Sequence, residues 1–409
     1  MVASAAALRK PFARYWLSTF LGNFGDGIRL AAFPLLAAQL TRSPTAVAAV
    51  TTVQSLPWLL GPVIGVVVDR TDRRRLMMTV DTARAAIIAA LAGTILTHAD
   101  GLALIYLAAF ATGAGSALRS TAAATFVPRL VDSDKLDRAN GLVVAGQIVG
   151  NELAGPAAGG WLFGLAAVLP FAVNAGTLGI AVLLVLTLPS VFRPLPEPGS
   201  AASGKSLRRD LADGLAWLRR HAEIRDLTIM VGVISAMDAA WFAVLVLYVT
   251  RFLHQRPAAY GVLLAVGAVG GIIAGAGGAR LTRRLGAWGS LLLAGLVMAA
   301  SQLVLGLTAS VIAAAAMLAA SSAAFALLNM TAATMRQRQV PDGLLGRVSS
   351  LYGTVTGGAE ALGALAGGVI ATAAGIRAAV LVGAAPIAAV TIWAAWRHRG
   401  TRPEIVNLS

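Results

Sequence analysis

The chain contains no cysteine. That excludes disulfides, a thiolate nucleophile and any metal site built on cysteine, and it says nothing about the redox compartment. Histidine is nearly as scarce. His98, His221, His254 and His398 fall outside the central parts of the apolar segments and show no metal-ligand spacing, so no metal and no enzymatic centre is expected from them. A phosphate-binding Gly-x-x-x-x-Gly-Lys-Ser/Thr loop is missing, which removes ATP as the expected energy source. Charge is the third scarcity. Only 12% of the 409 residues are charged and 57% are hydrophobic, where a soluble domain has about a quarter charged. With a mean hydropathy of +0.77, this is the composition of an integral membrane protein, with almost no sequence left for a soluble domain.

The charge that remains is lopsided, at +15. A nucleic-acid partner does not follow, because the basic residues sit in short gaps between apolar segments, as the positive-inside rule requires. Twelve segments are long enough to cross about 30 Å of hydrocarbon: 15–39, 44–68, 76–97, 101–127, 141–165, 167–189, 227–250, 258–279, 287–307, 309–334, 347–373 and 377–396. All are expected to be helices, because lipid-facing backbone must satisfy its own hydrogen bonds. Of the 33 lysines and arginines, Arg42, Arg251, Arg256 and Arg377 fall on the outer side and Arg29, Arg84 and Arg119 within spans, while the rest lie on the inner side. That skew predicts both termini in the cytoplasm and residence in the cytoplasmic membrane. Residues 1–10 lack a short apolar region with a cleavage site, so the first helix is expected to act as the insertion signal.

The expected fold class is therefore an all-α membrane protein of twelve transmembrane helices. It divides into a six-helix half (1–190), a cytoplasmic linker (191–226) and a second six-helix half (227–409). The linker opens with Pro194, Pro196 and Pro198, then places Leu207, Leu211, Leu215 and Leu218 on one helical face with Arg208, Arg209, Arg219 and Arg220 around it. An amphipathic helix on the inner leaflet and a solvated helical linker both fit this pattern.

Four acids interrupt the apolar segments: Asp26, Glu152, Asp238 and Glu360. Each lies about twelve residues past the polar end of its span, which at about 1.5 Å per residue puts all four near one depth, close to the bilayer middle. A carboxylate there is costly, usually faces a bundle interior or aqueous cavity, and points to a functional site. Asp26 has Arg29 at i+3, on the same face. Asp238 has no basic neighbour in its helix but is followed by Trp241 and Phe242, a combination that can attract a lipophilic cation. Asp81 and Arg84 form another i, i+3 pair. Phe20, Phe24, Trp58, Trp241 and Phe242 are candidate pocket aromatics, with lipid-facing positions as the alternative for each.

The chain also repeats itself. Gly65, Asp69, Arg70, Arg73 and Arg74 after span two correspond to Gly275, Ala279, Arg280, Arg283 and Arg284 after span eight, at one offset of 210. Glu152, Gly155, Gly159 and Gly160 in span five correspond to Glu360, Gly363, Gly367 and Gly368 in span eleven at 208, and Asp26 corresponds to Asp238 at 212. Matches in chain order at nearly one offset predict two six-helix repeats in the same membrane orientation, with a site at their interface.

Gly65, Asp69, Arg70, Arg73 and Arg74 resemble motif A of the major facilitator superfamily, with Asp72 in place of the usual second glycine. Gly146, Gly155, Pro156, Gly159 and Gly160 resemble motif C, the span-five signature of its antiporters. Further stretches, including Gly25-Asp26-Gly27, Val127-Pro128-Arg129 and Gly346-Arg347-Val348, are similar to the exporter branch that holds the enterobactin exporter, macrolide-efflux pumps and Tap-type drug pumps. The resemblance covers essentially the whole chain. It implies an inner gate held by Asp69, an outer half sealed by the glycines and Pro156 of motif C, a peripheral third span that makes Asp81 and Arg84 structural, and a monomer. One departure stands out. The arginine that motif B places in span four is Ala109 here, and Arg119 lies more than two turns nearer the cytoplasm.

The expected function is secondary active export, by alternating access, of an amphipathic and cationic or zwitterionic small molecule such as a drug, driven by the proton gradient and without a cofactor. Asp26, Arg29, Asp238, Glu152, Glu360 and Arg119 are the expected coupling and substrate residues. Protons, the small-molecule substrate and membrane lipids are the expected partners. A dedicated exporter of a siderophore-like metabolite and a lysophospholipid flippase are the alternatives on the same fold. An anionic cargo would need Arg29 and Arg119 to face the cavity.

Overall fold

The computed structural model describes residues 10–124, 126–131, 135–188 and 215–398. Among them there is no strand, and nearly every residue is helical. The described residues form two compact units. One lies within Met1–Ser200 and Leu245–Ala265, the other within Ala201–Val244 and Val266–Ser409. The start of the expected amphipathic linker helix, with Leu207 and Leu211, lies outside the described residues.

The first unit is built from α1 (Lys10–Leu40), α2 (Pro44–Ser55), α3 (Gly61–Arg70), α4 (Arg73–Leu96), α5 (Leu102–Ala124), α6 (Leu136–Gln147), α7 (Gly155–Leu165) and α8 (Leu169–Leu186). Polar caps mark several starts. Ser43 accepts from the Ala46 amide at 3.3 Å ahead of α2, with Pro44 pre-set at the first helical position. Asp72 accepts from the Arg75 amide at 2.8 Å and caps α4. The Asp72 departure from motif A is therefore a helix cap. The second unit holds α9 (Ala222–Phe242), α10 (Pro257–Leu307), α11 (Val311–Gln339), α12 (Asp342–Ala374), α13 (Ile376–Leu381) and α14 (Ala384–Arg397), with the first residues of α10 counted in the first unit. Gly286, at φ 74°, breaks α10 into two helical arms, a conformation for which glycine carries no Cβ penalty.

Among the described residues, eight helices are long and apolar enough to cross a membrane, by length and composition: Arg73–Leu96, Leu102–Ala123, Leu169–Leu186, Ala222–Phe252, Pro257–Leu307, Val311–Gln339, Arg347–Ala374 and Ile376–Arg397. Three expected spans are not among them, and expected spans eight and nine fall within one helix. The physical reasons are local. Span two is interrupted by a 3₁₀ turn, Leu56–Leu60, around Pro57. Span five is interrupted by a π-helical segment, Ile148–Ala154. The helix of span one is long, but it carries Asn23, Asp26 and Arg29 mid-helix, with Gly25 and Gly27 adding no apolar surface. The π segment has a cause in the sequence: Pro156 cannot donate to the carbonyl four residues back, and the Gly155 amide bonds to the Gly150 carbonyl instead. Large apolar side chains such as Leu107, Ile273, Ile312 and Leu362 are well exposed, as lipid-facing residues are.

Close backbone packing fixes each unit. In the first, a Cβ at Gly155 would strike the Phe24 carbonyl (2.8 Å) and Gly27 Cα, and one at Gly159 would meet the Ile28 carbonyl. In the second, a Cβ at Gly363 would meet the Ala236 carbonyl and one at Gly367 the Ala240 carbonyl. Phe24 and Ala236, like Ile28 and Ala240, are 212 positions apart, and the glycines facing them are 208 apart. The same two contacts thus occur in each unit at the spacing of the sequence repeat. Small residues are what let membrane helices approach this closely.

Candidate functional site

The densest arrangement of charge in the first unit lies where α1, α4 and α5 meet. Asp26 and Arg29 sit one turn apart on α1, with Arg29 Nη2 3.1 Å from Asp26 Oδ1. Arg84 of α4 pairs with the same Asp26 oxygen and lies 3.2 Å from Asp81 through Nη1. Arg119 of α5 binds the other Asp81 oxygen through Nε at 2.6 Å and donates to Ser18 Oγ at 3.2 Å. Hydroxyls complete the network. Arg29 donates to Thr112 Oγ1 at 3.0 Å and to Ser116 Oγ at 3.2 Å, and Ser116 donates to Asp26 Oδ2 at 3.2 Å.

Two acids and three arginines therefore share one buried cluster. Isolated buried charge is prohibitive, and the pairing with multiple hydrogen bonds is what makes it tolerable. Access within the cluster is uneven. The Asp81 side chain is fully buried and those of Arg29 and Arg84 nearly so, whereas Asp26 keeps 17% of its surface. Asp81 and Arg84, expected as structural residues of a peripheral third span, are bonded directly to the Asp26 cluster. Arg119 is the partner of Asp81 rather than of Asp26. Ala109, in the place of the motif B arginine, is buried, and Thr112, on the next turn, receives Arg29 instead. Gly115 leaves room on α5 for the stem of Arg84, since a Cβ there would stand 2.5 Å from Arg84 Cδ.

Glu152 is not part of this cluster. It lies in the π segment and is exposed, with no ion-pair partner among the described residues. The aromatic residues of α1 form a ladder, Trp16 on Phe20 at 5.4 Å and Phe20 on Phe24 at 6.3 Å, both nearly parallel. Trp58 stands apart on the 3₁₀ turn and is 55% exposed, which favours its lipid-facing alternative.

In the second unit Asp238 of α9 accepts from the indole of Trp241 at 2.9 Å, and Trp241 meets Phe242 edge-on at 6.1 Å. Glu360 of α12 is within electrostatic reach of Asp238. Neither acid has an ion-pair partner among the described residues. Trp241 itself is buried and Phe242 is partly open. The two units thus treat their mid-helix acids in opposite ways: arginines clamp Asp26, while Asp238 has an indole and a second acid.

The motif residues have mostly structural contacts. Arg74 donates to the Val185 carbonyl at 3.1 Å and the Leu186 carbonyl at 2.5 Å, and Arg14 to the Thr187 carbonyl at 3.3 Å, so together they cap the C-terminal end of α8. Gly65 and Arg73 are half-buried. Asp69 and Arg70 end α3, and their side chains lie outside the described residues. Gly146 lies against the indole of Trp16 (3.1 Å for a Cβ), and Gly160 against the backbone of Gly261 and Pro257. No group of three or more metal-ligating side chains occurs among the described residues.

A family model described as transmembrane secretion effector matches residues 2–402. The multidrug efflux pump Tap of Mycobacterium tuberculosis and that of Mycobacterium bovis are each 27% identical over 399 residues, covering 93% of this chain and 91% of theirs. Among solved structures, the nucleoside transporter NupG superposes with a TM-score of 0.74 at 12% identity, over 96% of this chain and all of that one. A bacterial homologue of the iron transporter ferroportin, in its inward-facing state, superposes with a TM-score of 0.72 at 17% identity, over 93% of this chain and 98% of its own. At these identities the likeness to the solved structures is one of fold.

Proposed function

The chain belongs to the transmembrane secretion effector family of major facilitator transporters, and from that premise we propose that it is a proton-driven exporter of amphipathic, cationic or zwitterionic small molecules. It works by alternating access from the cytoplasmic membrane, as a monomer with twelve spans in two six-helix repeats and both termini inside. The glycine contacts that recur in both units support the repeat. The drug-pump relatives support export.

The observation that carries the substrate class is the uncompensated pair Asp238 and Glu360 beside Trp241 and Phe242. Two acids at membrane depth without a basic partner are too costly to stand as bare anions. Each state of the cycle must supply them with a proton or a cationic cargo, and that competition is the exchange. Aromatic faces beside the acids add cation–π attraction for a lipophilic cation. Asp26 then serves as the second, arginine-clamped position of the cycle. Glu152, exposed in the π segment, has a lesser part. Asp69 holds the inner gate and the motif C glycines with Pro156 the outer one.

The anionic-cargo reading loses ground for a specific reason. Arg29 and Arg119 are both buried, and they are engaged by Asp26, Thr112 and Ser116 and by Asp81 and Ser18 respectively. A siderophore-like anion has no open arginine in this cluster to bind.

The deciding test is ethidium transport in proteoliposomes, with and without an outside-acid gradient, for the wild type and for Asp238→Asn and Asp26→Asn. Gradient-driven transport that either substitution abolishes supports the antiport. Wild-type transport that ignores the gradient refutes proton coupling for this cargo.

A further inference from the structure

Arg84 stands between two carboxylates with different access. One terminal nitrogen binds Asp26 and the other lies 3.2 Å from Asp81. Asp26 is reachable, while Asp81 is completely buried and beyond the reach of any cargo. The remaining charged or polar groups on these acids are Arg29 and Ser116 at Asp26 and Arg119 at Asp81, with Tyr15 near Arg119. Arg84 Nε is buried without an acceptor, so the guanidinium is not locked by a full set of bonds. Its stem lies directly against Gly115 of α5, where the missing side chain admits it.

On the exporter reading, we propose that Arg84 is the positioning residue that turns a change of charge at Asp26 into movement of α4. When a proton or a cationic head group neutralises Asp26, Arg84 loses that partner. Asp81 then takes both terminal N–H groups, because among the described residues it is the other carboxylate that Arg84 contacts. The guanidinium keeps its charge, the arriving proton stays on Asp26, and no covalent bond changes. Arg29 cannot do this. It shares α1 with Asp26, and Thr112 and Ser116 already hold it with neutral acceptors. Arg119 cannot either, because it contacts Asp81 and Ser18 rather than Asp26. Arg84 is thus the group that links the accessible acid on one helix to a buried acid on another.

Two measurements test this, and the first does not depend on transport. A structure of the Asp26→Asn variant in lipid nanodiscs, where asparagine mimics the neutral acid, is expected to show both terminal nitrogens of Arg84 within hydrogen-bond distance of Asp81. An Arg84 still bonded to residue 26, or bonded to neither, overturns the proposal. The second compares ethidium counterflow at equal pH with accumulation driven by a pH gradient. Arg84→Gln is expected to lower the driven mode at least tenfold more than counterflow, and Arg84→Lys, which restores a point charge, to recover part of the drive. Equal effects on both modes in monodisperse protein overturn the proposal. A wild type that moves no ethidium in either mode refutes the exporter reading for such cations, and the nanodisc structure then decides the role of Arg84 by itself.

Discussion

Gly115 lies against the aliphatic stem of Arg84, with a Cβ at position 115 falling 2.5 Å from Arg84 Cδ and 2.7 Å from Cγ. One hydrogen on α5 is therefore what allows an arginine on α4 to reach an aspartate on α1. Gly115→Ala should displace Arg84 from Asp26 at an overpacking cost of about 1–3 kcal/mol. The expected outcome is folded protein with a lower thermal midpoint and at least tenfold weaker gradient-driven ethidium transport. Unchanged transport would show that the stem shifts without loss of the ion pair.

The recurring glycine contacts make a paired prediction. Gly159 faces the Ile28 carbonyl and Gly367 the Ala240 carbonyl in the same way. Gly159→Val and Gly367→Val should each separate a helix pair and lower stability by similar amounts, several kcal/mol, beyond what single-methyl overpacking costs. Fluorescence thermal unfolding in detergent measures this. A large effect at one position and none at the other would break the equivalence.

Asp72 offers a separation of capping from gating. Its carboxylate accepts the Arg75 amide at the start of α4, so Asp72→Ala should cost about 1 kcal/mol, while Asp72→Ser or Asp72→Asn should retain most of the stability. If Asp72→Asn is as damaging to transport as alanine, the residue does more than cap.

Acids in the two units should differ in consequence. Asp238 is bonded to Trp241 and lies near Glu360, whereas Glu152 is exposed, with no ion-pair partner among the described residues. Asp238→Asn is expected to lower ethidium transport at least tenfold and Glu152→Gln no more than about threefold, which is about 0.7 kcal/mol. Initial rates in proteoliposomes of matched protein content decide between them.

Arg251 donates to the carbonyls of Ala38, Thr41 and Arg42 at 3.2, 2.8 and 2.9 Å, at the C-terminal end of α1. These carbonyls lack helical partners of their own, and a cation there is favourable. Arg251→Ala should cost about 1 kcal/mol after allowance for its partial exposure, and Arg251→Lys should recover less than half because it lacks the planar fork. Thermal midpoints of the two variants check the order.

Membrane residence and helical class were legible in the sequence because they rest on local or periodic features. Scarce charge, long apolar runs and basic gaps follow from the cost of polar groups in hydrocarbon. The 208–212 offset is visible wherever two repeats keep their glycines. The motif C glycines Gly155 and Gly159, expected to pack closely, stand at backbone contact with α1. The breaks in spans two and five trace to Pro57 and Pro156, whose positions are in the sequence although the 3₁₀ turn and π segment they produce are not.

What the tertiary structure alone decided is which charges meet. Asp81 and Arg84 have a local i, i+3 explanation that is complete by itself, so nothing in the chain order joins them to Asp26, 58 positions away from Arg84. Arg119 and Ala109 could not be weighed against each other by spacing either. Pairing of buried charge depends on a few ångströms of helix approach, which the packing of α1, α4 and α5 and the missing side chain of Gly115 set. Sequence periodicity specifies which face of a helix is apolar, whereas the partner of a buried arginine follows from the way the faces are brought together.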